Sequence, residues 1–227
     1  MKSFNGSFRI DSKLSPKNSL TIHGGAHETK GRQWDFERNP LRTVIKNTED
    51  THGEYVSAKL NHSFSETSNM ELQFYIDHNE GDVIMPLRIE ETIFDADLTH
   101  HFMTEMGHEI VWGLGARHIK DEVEDTGGAV PFLKSDFDRK DSYSKYNFLI
   151  QDSIWIKPDK FKATVGAKWE HNHFTGSDFM PNLRLLYTPN KNHAIWAAAS
   201  RSSSVPTRYE IAGTFIGTGV PGGGTLQ

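Results

Sequence analysis

The sequence has no cysteine, which excludes both disulfide frameworks and thiolate metal sites. It also has no long apolar run: Ile110 to Ala116 and Ala194 to Ala199 are far shorter than the roughly 20 residues of a spanning helix. Basic residues are not in excess, because 25 Lys and Arg stand against 30 Asp and Glu. The resulting net charge of -5 argues against nucleic acid as a partner. If this chain crosses a bilayer, it does so as strands.

Helical periodicity is scarce as well, and a period of two residues takes its place. In the segment from Met70 to Asp77, the even-numbered residues are apolar and three of the four odd-numbered ones are strongly polar. This is the pattern of a strand with one apolar and one polar face. The same alternation recurs in residues 8–14, 56–64, 94–102, 110–117 and 161–170. The sequence therefore predicts an all-β chain.

Short polar clusters separate pairs of these alternating segments and predict tight hairpin turns. They are Pro16–Asn18, Glu66–Asn69, Glu105–Gly107, Pro158–Lys160 and Pro189–Asn192. The spacing predicts about ten antiparallel strands in five hairpins. Between the hairpins we expect long irregular connections over 33–51, 79–88, 125–141 and 176–181, and after Pro206. Short turns that alternate with long loops are typical of an outer-membrane barrel.

The two faces of the strands support a barrel more than a soluble sandwich. The polar faces mix charges with small residues such as Gly113, Gly115 and Ser57, as expected of a wet, enclosed lumen. Phe161 and Trp169 lie on one face of a predicted strand, eight residues apart. In a strand tilted by about 45° from the membrane normal, this spacing corresponds to roughly 19 Å of membrane depth. That distance approaches the ~25 Å apolar band that aromatic girdles flank. Large aromatics in the core of a β-sandwich are the alternative interpretation.

The segment from Tyr143 to Glu210 resembles the β-barrel of TonB-dependent outer-membrane receptors. The resemblance is carried by an Asn147–Asp152 strand, a Pro158–Phe161 turn and a Thr164–Asn172 strand, followed by Phe174–Gly176, Pro181–Pro189, Ile195–Arg201 and Val205–Arg208. A weaker likeness extends upstream through residues 53–121. The order and spacing of these pieces are more specific than any one of them.

This resemblance implies a transmembrane antiparallel barrel of 22 strands, of which the chain holds about ten. We expect residues 1–227 to form a partial barrel domain, with the plug domain, the leader and the last strands absent. The implied function is import of a scarce nutrient across the bacterial outer membrane, most often a ferric siderophore, another iron complex or a cobalamin-type ligand. The implied partners are that small ligand, the lipid bilayer, and TonB through the missing plug segment.

If the resemblance holds, ligand contacts come from the long loops. The candidates combine aromatic rings with cations, which suits an anionic, partly aromatic iron chelate: Trp34, Phe36, Arg38, Phe132, Phe137 and Arg139. The residues expected to line the lumen are His23, His27, Asp95, Asp97 and Arg117. The acidic run from Asp121 to Asp125 is interpreted as a solvated loop. We expect no metal site and no cofactor.

No sequence motif of a hydrolase or of a phosphate-binding loop is present, so we expect no catalytic residues. Two alternatives remain open on the sequence. One is an enzyme, a closed ten-stranded outer-membrane barrel of the protease type. The other is a soluble β-sandwich binding module, in which the apolar faces meet across a dry interior.

Overall fold

A computed structural model describes residues 2–36, 44–84, 87–125 and 140–206 of the chain. These residues form ten strands and no helix. The strands are β1 (Lys2–Ser15), β2 (Asn18–Phe36), β3 (Val44–Ser65), β4 (Ser68–Ile84), β5 (Leu87–Met103), β6 (His108–Asp125), β7 (Lys140–Lys157), β8 (Phe161–Asn172), β9 (Gly176–Asn190) and β10 (His193–Ser200). In this part of the chain there is accordingly no helix that could cross a membrane.

All ten strands belong to one antiparallel sheet, in which each strand pairs with its neighbours in sequence. The prediction of ten antiparallel strands in hairpin order is confirmed. Within the described ranges no second sheet covers either face, and β1 and β10 do not contact each other. The sandwich alternative is therefore wrong, and so is a barrel closed by these ten strands alone.

Five tight turns connect the strand pairs at one end of the sheet, which we call the turn end. These turns coincide with the five predicted polar clusters. Two of them contain a residue with positive φ, Gly107 and Asp159. The opposite end, which we call the loop end, holds the remaining connections. The predicted hairpins are thus confirmed at the turn end.

Three of the predicted long connections at the loop end, over 33–51, 79–88 and 176–181, are wrong in extent, whereas those over 125–141 and after Pro206 lie almost entirely outside the described residues. Residues 33–36 pair with residues 44–47, so strands occupy most of the expected 33–51 loop. Strands β4 and β5 likewise run through most of 79–88, and β9 begins at Gly176 directly after a three-residue turn. The prediction failed because these segments lose their apolar alternation, which a strand needs only where one face meets an apolar environment.

The apolar face consists of the even-numbered residues of β1 to β7 and the odd-numbered residues of β8 to β10. Cross-strand pairing aligns their side chains in rows, one of which runs Leu20, Leu60, Leu72, Leu98, Leu114, Phe148, Trp169 and Phe179. Many large members of this face are exposed, among them Phe74, Leu114 and Trp169. Soluble monomeric proteins rarely expose a continuous apolar surface of this size.

The apolar band ends abruptly toward the loop end. On β3, Val56 is followed on the same face by Glu54 and His52, and on β8, Trp169 is followed by His171. The row of cross-strand partners that contains Trp169 reaches β3 at Leu60, whereas the apolar band on β3 ends at Val56. The loop-end boundary of the band therefore shifts by four residues over the five strand intervals from β8 to β3. At ~3.3 Å per residue and ~4.8 Å per interval, it is inclined by about 30°, close to the 35–45° strand tilt of outer-membrane barrels.

The polar face, made of the remaining residues, is the more buried of the two. Ser57 and Asn172 on this face are 4% and 1% exposed, although both are polar. Polar side chains that crowd one another on a single sheet lie on its concave side, whereas the apolar side chains diverge on the convex side. This inverted burial is the arrangement predicted for a barrel with a wet interior.

The orientation of the two faces can be tested with two adjacent residues of β4. Leu72 lies in the middle of the apolar band and Gln73 lies on the polar face. Leu72→Arg is expected to lower the free energy of unfolding by about 2–4 kcal/mol, because a cation then faces the bilayer midplane. Gln73→Arg is expected to change it little. Urea unfolding of the intact receptor refolded into lipid bilayers measures both, and a larger loss for Gln73→Arg would reverse the assignment of the faces.

Candidate lumen surface

An ion pair between neighbouring strands lies in the middle of the polar face. Asp95 on β5 and Arg117 on β6 are direct cross-strand partners, and Arg117 Nε donates a hydrogen bond of 2.6 Å to Asp95 Oδ2. The Asp95 side chain is 10% exposed, whereas that of Arg117 is 47% exposed. The cation therefore stays in contact with water while it compensates a nearly buried carboxylate.

Asp97 extends this polar group toward β7. Its cross-strand partner is Gly115, whose own partner on β7 is Asn147. A Cβ atom at Gly115 would collide with the side chains of both Asp97 and Asn147. The glycine thus lets two polar side chains approach each other across β6. The three predicted lumen residues Asp95, Asp97 and Arg117 lie together on the polar face.

The two predicted lumen histidines of β2 lie on the same face. His23 packs edge-on against Tyr55, with 5.6 Å between ring centroids, and Tyr55 is followed by Tyr75 at 6.3 Å. His27 leans over Gly53, where an added Cβ would meet both its ring and the side chain of Asn79. His23 is therefore part of an aromatic row, and His27 is part of a polar row nearer the loop end.

A buried patch at the loop end was missed by the sequence analysis. Ile119 and Val123 of β6 are 5% and 0% exposed, and Asp121 between them on the same face is 7% exposed. Asp121 pairs with Glu91 on β5 and with Asp141 on β7. The interpretation of the acidic run from Asp121 to Asp125 as a solvated loop is thus wrong, because β6 continues through it and turns alternate carboxylates to opposite faces.

Burial changes the protonation chemistry of this patch. The pKa of the Glu91 carboxyl is raised above its ordinary value, first by desolvation and then by the charge of Asp77, while Arg117 and Lys145 oppose the shift. Desolvation also raises the pKa of the Tyr143 hydroxyl, with Glu91 as the second cause. Both groups lie on the loop-end side of the apolar band. The Glu91 carboxylate, the cross-strand partner of Asp121, is therefore more easily protonated than an exposed carboxylate.

The predicted ligand-contact residues are placed only in part. Trp34 and Phe36 lie in strand β2, where they pair with Lys46 and Val44, and not in a loop as expected. The strand continues because its backbone groups find partners on β3. Arg38, Phe132, Phe137 and Arg139 lie outside the described residues. Within those residues, no cluster of three or more His, Cys, Asp or Glu side chains could hold a metal ion.

Comparison with known proteins assigns the chain to a family. A family model described as "TonB dependent receptor-like, beta-barrel" matches residues 3–227. The chain belongs to this family. Its members are outer-membrane proteins of Gram-negative bacteria, and the relatives found are siderophore receptors. The predicted transmembrane barrel fold, the family resemblance and the expectation that the chain is no enzyme are confirmed.

Solved structures of family members share the fold. The siderophore receptor PirA from Pseudomonas aeruginosa matches with a TM-score of 0.69 and 15% identity, over 92% of this chain and 34% of that chain. PirA from Acinetobacter baumannii gives a TM-score of 0.66 and 14% identity, with the same coverage of 92% and 34%. The ferric enterobactin receptor of P. aeruginosa is 22% identical over 129 residues, which are 51% of this chain and 17% of that receptor. The chain thus spans about a third or less of the length of these relatives.

The energetic role of the central ion pair can be measured by removing its cation. Arg117→Met leaves the nearly buried Asp95 carboxylate without its donor, so we expect a loss of about 1–3 kcal/mol in the free energy of unfolding. Arg9→Met removes the cation of the exposed Arg9–Asp11 pair and serves as the matched control, with almost no change expected. Denaturant titration of the intact receptor in detergent micelles compares the two. Equal losses would contradict the assigned burial.

The raised pKa of Glu91 predicts a pH-dependent stability. The folded chain binds the proton of the Glu91 carboxyl more tightly than the unfolded chain does. The folded wild type is therefore most stable at low pH and loses stability as the pH rises through the raised pKa of Glu91. Glu91→Gln does not undergo this loss. We expect its Tm to exceed that of the wild type at pH 7 and to match it at about pH 4, where both side chains are uncharged. The exposed neighbour Glu90→Gln is the control, and a pH-independent difference at Glu91 would refute the prediction.

Proposed function

We propose that the chain forms part of the wall of an outer-membrane receptor that imports a ferric siderophore or another iron complex. The single observation that carries this proposal is a one-layer sheet whose apolar face is exposed and whose polar face is buried. Family membership supports it, and so do relatives that are named siderophore receptors. In this proposal the apolar face meets lipid, and residues 1–227 are a barrel domain that works with a separate plug domain.

The polar face suits a hydrated passage. Its charges are paired across and along strands, as in Asp95–Arg117, Lys162–Glu109 at 3.1 Å and Lys168–Glu170 at 2.6 Å. A wall of paired charges offers polar contacts to a passing anion without a strong field of one sign. Transport requires such weak, distributed binding, because a tightly bound ligand does not leave the passage.

Ligand capture is assigned to the loop end. Phe132, Phe137 and Arg139 stand in the connection between β6 and β7, and Arg38 in the connection between β2 and β3. Trp34 and Phe36 stand at the last positions of β2. Guanidinium groups beside aromatic rings suit an anionic, partly aromatic iron chelate through charge and stacking. Release into the periplasm is proposed to depend on TonB acting on the plug.

The transport proposal is tested by uptake of radioactive iron. A strain that lacks the intact receptor is expected to lose energised uptake of a ⁵⁵Fe-loaded catecholate siderophore, and the cloned receptor is expected to restore it. A protonophore should abolish the restored uptake, because the proposed import is driven by energy delivered through TonB. Restored uptake of cyanocobalamin, with no effect on any ferric siderophore or haem, would refute an iron complex as the ligand.

The loop-end assignment is tested by Arg139→Ala in the same receptor. We expect the affinity for the ferric catecholate to fall about tenfold, as for the loss of one charge-assisted contact. Lys157→Ala, at the turn end of β7, is the matched control and is expected to bind as the wild type does. Equilibrium binding by fluorescence quenching compares the variants. If Lys157→Ala weakens binding as much as Arg139→Ala, the ligand does not bind at the loop end.

A further inference from the structure

A cavity of about 540 Å³ lies on the polar face, close to the turn end of β8, β9 and β10. The polar-face side chains that line it are Lys162, Thr164, Arg184, Leu186, Trp196 and Ala198. Strand register arranges them in two rows of cross-strand partners, Lys162–Leu186–Trp196 and Thr164–Arg184–Ala198. The short turns of an outer-membrane barrel are periplasmic. The cavity therefore lies on the wall of the proposed passage, near its periplasmic mouth.

Two indole rings flank the row that is nearer the turns. Trp155 on β7 is the cross-strand partner of Lys162, and Trp196 on β10 is the partner of Leu186. The two tryptophans are three strand intervals apart, which corresponds to about 14 Å along the sheet. Both side chains are exposed. A flat aromatic group that enters the cavity can therefore stack on an indole ring.

The two cations of the cavity differ in their surroundings. Lys162 Nζ lies 3.1 Å from Glu109 Oε2 and 6.0 Å from the centroid of the Trp155 ring. The Glu109 carboxylate thus already compensates the charge of Lys162. Arg184 is exposed, and among the described side chains it has no carboxylate partner. The guanidinium group of Arg184 is therefore the cation that remains available to an anion.

Arg184 is an exception among the arginines whose side chains the structure describes. The other four each pair with a carboxylate: Arg9–Asp11, Arg88–Glu80, Arg117–Asp95 and Arg201–Asp178. The uncompensated guanidinium keeps its planar set of N–H donors free, and that geometry matches two neighbouring anionic oxygens. The cavity thus combines an anion-binding group with an exposed aromatic ring.

We propose that this cavity is a transit site for the anionic aromatic arm of the iron chelate, occupied after the chelate leaves the loop end. The Arg184 guanidinium binds the anionic oxygens of the arm, and Trp196 stacks on its ring. One uncompensated cation makes this binding weak, as release from a passage requires. The inference rests on the proposed function and names a further site for the same ligand.

Removing the guanidinium is the first test. Uptake of a ⁵⁵Fe-loaded catecholate siderophore is measured in cells that carry the intact receptor, at matched receptor abundance in the outer membrane. We expect Arg184→Gln to lower the maximal uptake rate about fivefold, as for the loss of one charge-assisted contact. Equilibrium affinity is expected to stay unchanged, because capture takes place at the loop end. An unchanged uptake rate, or a fall in equilibrium affinity, would overturn the transit site.

Two further variants separate the charge of Arg184 from a general effect on the wall. Arg184→Lys keeps a cation at this position and is expected to recover most of the uptake rate. Arg9→Gln removes an arginine from the polar face of β1 that is already paired with Asp11, and it is expected to transport as the wild type does. An equal loss of uptake in Arg9→Gln and Arg184→Gln would contradict the proposal.

Photo-crosslinking identifies the occupant of the cavity. The photoreactive residue p-benzoylphenylalanine replaces Trp196 in the intact receptor, and cells are irradiated during uptake of a ¹⁴C-labelled ferric catecholate. We expect ¹⁴C on the receptor in energised cells and none after addition of a protonophore. The same photoreactive residue in place of Trp169, on the apolar face of β8, is the control and should remain unlabelled. A crosslink from position 196 to the plug of the receptor, without ¹⁴C, would show a plug contact instead of a transit site.

The wild-type receptor separates this proposal from the transport proposal. A wild type that takes up no iron complex would refute the transport proposal and the transit site together. A wild type that takes up the ferric siderophore, with Arg184→Gln at the same rate, would refute the transit site alone.

Discussion

Backbone hydrogen bonding in a bilayer is the constraint on which this structure depends. No water is available there, so each strand must find its partners on its neighbours, and a single continuous sheet is the result. Because side chains alternate along each strand, the sheet has two surfaces of opposite character. The Leu20–Phe179 row on one face and the Asp95–Arg117 pair on the other are consequences of the same alternation.

Curvature then decides how crowded each surface is. On the polar face, glycines such as Gly53 and Gly115 leave room for long neighbours to meet, as His27 and Asn79 do. On the apolar face, large side chains spread apart and stay exposed, and the Ala96–Ala116 pair on β5 and β6 leaves a shallow depression between Phe74 and Tyr146. The polar face therefore behaves as the interior, although it carries the charges. In this chain polar residues are buried and large apolar residues are exposed, the reverse of a soluble protein with an apolar core.

Apolar–polar alternation, as in Met70–Asp77, was sufficient to predict the strands. Polar clusters, as in Pro158–Lys160, were sufficient to predict the tight turns at the turn end. The loop end was predicted less well, because β2 and β3 continue beyond the apolar band where no alternation is needed. The positions of His23, His27, Asp95, Asp97 and Arg117 on the polar face followed from parity alone. The buried patch around Val123 did not, since four acidic residues in five positions outweighed one valine in the sequence pattern.

The sequence by itself determined the class of fold, the two faces and the family resemblance, because all three depend on local order along the chain. Only the tertiary structure decided which side chains meet across strands: the Arg117–Asp95 pair, the approach of Asp97 and Asn147 over Gly115, and the alanine floor between Phe74 and Tyr146. Those contacts depend on register, which is fixed by the pairing of ten strands together. A shift of the pairing register would give every side chain new cross-strand neighbours, so no single strand could specify these contacts.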